Sequence, residues 1–237
     1  MVRRPASLLA ALYGALLAYL LLTPALPDVG GVSDANTLLS DGVALALLSA
    51  AVLALLAARD EVLVLAMLAL GAGLLGAAFT EAGSVPLAVT TKVLFGASAG
   101  MLLARLLAEP AVVVGVPLFV AGIDIASVAG GPSSLLARDS SNAGDFLSLY
   151  LPAWGGGRAG VLGVADVLFL AFFASSAWRF GLRRRATGAA LVLALPAAVA
   201  LQVALDRTIP ALPVLAAALL VPNLDRLPGL LATQRTG

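Results

Sequence analysis

Cysteine and histidine are both absent from this chain of 237 residues. Without thiols there is no disulfide and no cysteine nucleophile, and without imidazole there is no serine–histidine relay and no zinc site of the usual kind. Lysine is reduced to a single residue, Lys92, against thirteen arginines. Charge is scarce as well: 11% of residues are charged and 61% are hydrophobic, too little polar surface to cover a soluble globule of this length. The net charge is +1, and no basic stripe is interleaved with aromatics, so nucleic acid is excluded as a partner. The apolar runs do not alternate with polar residues, which argues against a membrane β-barrel and leaves helices as the spanning element. What remains for chemistry is carboxylates, hydroxyls and one amine. The dominance of Arg, Ala and Leu suggests a GC-rich prokaryotic genome.

What is present is a series of apolar runs near the roughly 20 residues that cross a bilayer. They fall at about 6–26, 41–58, 62–79, 86–107, 111–129, 160–178 and 186–205, with a last run opening at 210. The expected fold is therefore all-α, a polytopic membrane bundle of about eight transmembrane helices. The first run follows Arg3 and Arg4 and is too long for a signal-peptide core, so it reads as a retained helix. Two halves are expected: residues 1–109 with four helices, and 110–237 with the rest, interrupted by a long loop over 130–159. In that loop, the apolar island from Phe146 to Trp154 reads as a segment dipping into the interface, with Tyr150 and Trp154 as anchors; the other reading is that this island, or the backbone near Pro210, pairs as an added strand with a bound segment. Gly71, Gly73 and Gly76 give the third helix a small face, and Lys92 reads as a side chain snorkelling to the membrane surface.

Basic residues cluster at Arg3/Arg4, Arg59, Arg105 and Arg179–Arg185, all on one parity, which the positive-inside rule assigns to the cytoplasm. Arg138 and Arg158, in the long loop, run against that parity. The expected location is a prokaryotic cell membrane, with the chain embedded in the lipid bilayer as a multi-pass protein.

Two acids interrupt the apolar runs. Asp124 lies in Gly122-Ile123-Asp124-Ile125-Ala126, and Asp166 in Gly163-Val164-Ala165-Asp166-Val167. A carboxylate in the middle of a span costs about 2.5–3.5 kcal/mol on insertion scales, so it asks for a partner or a wet cavity. Each lies about six residues from the long loop, at roughly 1.5 Å per residue, so both share one depth. If their helices are neighbours the carboxylates can meet, with Gly122, Gly163 and Ala165 thinning the contact. The last helix opens with Pro210-Ala211-Leu212-Pro213 on the same face, and its missing donors suggest a hydrated pocket. Read singly, each acid is equally a helix cap or a bundle hydrogen-bonding group.

In order along the chain, Asp124 to Pro132, Leu162 to Asp166 and Pro210-Ala211-Leu212-Pro213 resemble the three signatures of presenilin and signal peptide peptidase, the GxGD-type intramembrane aspartyl proteases. The resemblance covers about 110–223. It departs from the family pattern at Ile123, where a tyrosine is usual, and at Ala165, where a second glycine is usual. The family usually has nine helices, one more than expected here. The resemblance implies Asp124 and Asp166 as the catalytic pair, with Pro210, Ala211, Leu212 and Gly163 shaping the cleft and contacting substrate. It implies a transmembrane-helix substrate, no metal and no cofactor; nothing in the sequence resembles a dedicated partner-binding domain, so a stand-alone enzyme is the default expectation. Two other readings stay open: a small proton- or ion-coupled transporter, since paired acids also carry protons, and an inactive binding protein of the same fold.

Overall fold

Alanine and leucine are strong helix formers, and a helix satisfies every backbone group internally, as hydrocarbon demands. A computed structural model describes residues 3–29, 33–107, 109–130, 146–156 and 158–232. Its helices are α1 (Arg3–Leu22), α2 (Ser33–Leu55), α3 (Val62–Glu81), α4 (Val85–Leu106), α5 (Val112–Gly130), α6 (Val164–Arg179), α7 (Arg184–Leu205), α8 (Ala211–Leu220) and α9 (Leu227–Ala232). Between α5 and α6 lies a two-stranded hairpin, β1 (Ser148–Pro152) and β2 (Arg158–Gly163). The all-α expectation holds for the bundle, and α1, α2, α3, α4 and α7 are each long and apolar enough to cross a membrane. Helices α5, α6 and α8 are shorter. The part of the long loop at 131–145, with Pro132 and Arg138, lies outside the described residues.

Two boundaries differ from the sequence reading. Helix α2 begins at Ser33, well before residue 41, with Asp34 in its first turn where an acid suits the helix dipole. Its polar opening is held by tertiary contacts: the Asn36 side-chain amide donates to the Trp154 carbonyl at 3.0 Å. At the other boundary, α6 starts at Val164 rather than near 160, because the preceding residues belong to a strand. Leu149 pairs with Leu162 and Tyr150 with Val161 in antiparallel register. The turn passes through Gly155 and Gly156 at φ +78° and +94°, conformations open to glycine and strained for other residues.

The apolar island is therefore mostly strand β1 rather than irregular chain. Trp154 turns inward, its indole N–H donating to the Tyr19 hydroxyl at 2.8 Å. Lys92 does not snorkel either. It is 2% exposed, and its ammonium donates to the Ser148 carbonyl at 3.0 Å while lying 5.7 Å from the centre of the Phe146 ring. The hairpin is thus tied to α4 at its first residue.

In lipid, burying apolar area between helices gains little, so association rests on close packing. The closest approach is between α4 and α6. A Cβ on Gly100 would run into the Leu168 carbonyl oxygen, and one on Gly96 would sit 3.2 Å from the Val164 carbonyl oxygen. Phe172, Phe173, Leu170 and Met101 are fully buried around that seam. Gly73 and Gly76 of α3 lie under Phe95 and Lys92 of α4, whereas Gly71 faces nothing. The expected thinning at Gly122 and Ala165 is not used: α5 packs chiefly along α8, a Cβ on Gly122 would meet nothing within 4 Å, and Ala165 is exposed.

Three basic turns converge at one end of the bundle. Arg105 donates to the Arg59 carbonyl at 3.0 Å, and Arg179 reaches the Ala104 and Arg105 carbonyls at 3.5 and 3.4 Å. The hairpin closes the opposite end, against the last turn of α1 and the first of α2. Gly100→Val is expected to destabilise the protein by at least about 1–3 kcal/mol through overpacking, and Gly122→Val to leave it nearly unchanged. Thermal unfolding of the two variants in detergent checks the contrast.

Candidate active site

Asp124 faces inward from α5 between two outward neighbours, Ile123 and Ile125, each 53% exposed. What it meets is the amino end of α8. Pro210 stands at the N-cap with extended backbone, φ −63° and ψ 133°, and offers no side-chain acceptor. Pro213 has no N–H to give. The orphan donor at Leu212 is satisfied from another helix: its N–H donates to Asp124 Oδ2 at 3.0 Å. The carboxylate also sits where the positive end of the helix dipole favours it. Asp124 is thus the cap that α8 cannot supply for itself.

Asp166 is the third residue of α6, not two turns inside it as the length of the apolar run implied. Its Oδ2 accepts the Gly163 N–H at 2.9 Å, the half of a capping box in which an N3 acid reaches back to the N-cap backbone. Gly163 sits at the junction where β2 ends and α6 begins, so the hairpin and the acid are fixed by one residue. A Cβ on Gly163 would lie 3.1 Å from that carboxylate oxygen and not against another helix.

Both aspartates line one cavity of about 190 Å³, and they lie within electrostatic reach of each other. Pro210 and Ala211 line it too. Leu212 and Gly163 contribute through their backbone N–H groups, which position the two acids. Among the described residues each acid is held through one oxygen. At roughly 30 Å³ per water the cavity has room for several waters, and its carboxylates give them partners. The polar lining is completed by Thr37, Asp41, Gln202 and Thr208.

Sequence reading missed these four. Asp41 is the consequential one, because it had been placed at a helix start and is in fact inside α2, 3% exposed. The signal was there in Ser33-Asp34, a usable helix start eight residues earlier. Among the described residues, no three acidic or other ligating side chains are arranged to hold a metal ion.

Comparison of the chain with protein-family models, with curated proteins and with solved structures finds no match. The site therefore rests on its own geometry. If Asp124 caps α8, Asp124→Ala is expected to cost about 1–2 kcal/mol of stability, the range for a lost N-cap. Asp124→Asn, which keeps a carbonyl for the Leu212 N–H, is expected to remain close to the parent in thermal unfolding. Equal losses in the two variants would show that the cap contributes nothing.

Proposed function

We propose that this chain is an intramembrane aspartyl protease that hydrolyses peptide bonds within transmembrane segments or signal-peptide remnants. The observation that carries the reading is the convergence of Asp124 and Asp166, from helices on either side of the hairpin, on one cavity floored by the Pro210-Ala211 start of α8. The chain has no thiol or imidazole to serve in their place.

The chemistry follows from two neighbouring carboxyl groups that share one proton. The ionised member takes a proton from a water as the water oxygen attacks the scissile carbonyl carbon. The protonated member donates a hydrogen bond to the carbonyl oxygen and stabilises the negative charge that develops there. Collapse of the tetrahedral intermediate breaks the C–N bond, and a proton passes to the leaving amine. No metal or cofactor enters this scheme.

A substrate helix hides its carbonyls in its own hydrogen bonds and must unwind first. In this reading the unwound stretch pairs, as an added strand, with backbone beside the acids. β2, whose Gly160, Val161 and Leu162 line the cavity, and the non-helical Thr208–Pro210 stretch are the segments available. Helices α5, α6 and α8 complete a bundle of eight that crosses a prokaryotic cell membrane, with the hairpin on the outer side and the arginine turns in the cytoplasm.

Reconstitution with a single-spanning reporter tests the proposal. The unmutated protein is expected to cut it, and Asp124→Ala and Asp166→Ala are each expected to lower the rate by about 10²–10⁴-fold or more, the range for losing an acid–base group. Cleavage that survives in either variant would contradict the assignment. Solute flux without cleavage would replace it with the transporter reading.

A further inference from the structure

Asp41 has no role in the scheme above, yet it lines the same cavity. It is 3% exposed, and its Oδ1 is buried without a hydrogen-bond partner among the described residues. A carboxyl group in that state needs a reason, because buried polar groups are almost always satisfied. Capping is not the reason: α2 starts at Ser33, so the unpaired N–H groups of its first turn lie more than a turn away. Ion pairing is not the reason, since Asp41 takes part in none of the ion pairs among the described residues. The nearby Tyr19 hydroxyl is already used, donating to the Ser40 carbonyl at 2.9 Å and accepting from Trp154.

The backbone closes over Asp41 as if over a fixed group. A Cβ on Gly160 of β2 would collide with Asp41 Oδ2. The cavity that Asp41 shares with Asp124 and Asp166 is lined, among the described residues, by no lysine or arginine. Three carboxyl groups, with no base among the described lining residues, make a cavity that attracts positive charge. Its apolar lining includes Leu45, Leu195 and Val199, surfaces along which the methylene stem of a basic side chain can lie.

We propose that Asp41 is a substrate-recognition carboxylate, receiving a lysine ammonium or arginine guanidinium carried by the segment bound in the cavity. This rests on the protease reading only for the identity of the ligand as a substrate side chain. The binding site itself follows from Asp41 and the cavity. The missing partner then arrives with the substrate, and a segment without a basic residue leaves the carboxyl group unsatisfied. A site built this way discriminates strongly against the analogue that lacks the group.

The test uses the full chain in lipid nanodiscs and a set of single-spanning peptides. Each carries one lysine at a successive position, and each is matched by a peptide with uncharged norleucine there. Binding is measured by fluorescence anisotropy in the Asp166→Ala background, so that turnover does not interfere. At one position or one helical face, the lysine peptide is expected to bind about tenfold tighter or more, as for a hydrogen bond to a charged group. In the Asp41→Asn, Asp166→Ala double variant that ratio is expected to fall to about twofold or less. No preference at any position, or a preference that persists without Asp41, overturns the proposal.

A second measurement needs no substitution. Carbodiimide labelling of Asp41 in the unmutated protein, in a pulse shorter than one turnover and read by mass spectrometry, is expected to drop with the preferred lysine peptide and not with its norleucine match. Equal labelling with both overturns the proposal even if the variants fail to fold. Binding selectivity without reporter cleavage would sink the protease reading alone, and cleavage without selectivity would sink the role of Asp41 alone.

Discussion

A helix whose N-cap is a proline has no side-chain acceptor of its own for its first N–H groups. The carboxylate of Asp124 takes that place in α8, accepting the Leu212 N–H across the α5–α8 interface. Much else follows from that contact. It explains why α5 lies along α8 more than along α6, and why an acid is tolerated among the outward-facing residues of an apolar helix. It also holds Asp124 at the cavity wall that α8 begins.

The second acid is positioned by a different device. Asp166 binds the last strand residue, Gly163, and so stands at the seam between hairpin and helix. The hairpin is in turn anchored from below by Lys92 on the Ser148 carbonyl and from the side by Trp154 on Tyr19. Beneath it, α4 and α6 are drawn together by Gly96 and Gly100 until backbone and side chain touch. A rigid helix pair thus supports the strand that fixes one carboxylate, while α8 fixes the other. Both acids have structural work, and each performs it with a single oxygen.

Much of this was legible in the chain itself. The helical class, the positions of the main apolar runs and the acids at 124 and 166 follow from composition and hydropathy, because lipid permits few alternatives. The start of α8 was legible in Pro210 and Pro213: a proline at the N-cap offers no side-chain acceptor, so the Leu212 N–H takes one from another helix. Less legible was anything set by tertiary pairing. The stretch at 160–163 looked like the start of a helix, and became a strand because Ser148–Pro152 was there to pair with it. Gly122 looked like a contact point but faces open space, while Gly100, unremarked in the sequence, sits at the tightest crossing. Asp41 was hidden by polar neighbours that resemble a loop and fold as helix because Asn36 reaches the Trp154 carbonyl.

The account stands on the spatial pairing of positions 124 and 166, and a chain without cysteine allows that to be measured cleanly. In the full-length protein in membranes, Asp124→Cys and Asp166→Cys are introduced together and treated with a short bifunctional thiol reagent. The same is done with Ile123→Cys or Ile125→Cys in place of the change at 124, since both of those side chains point outward. The account requires efficient intramolecular cross-linking of the 124–166 pair and little at the flanking pairs. Cross-linking that is absent at 124–166, or equal across all three pairs, would contradict it.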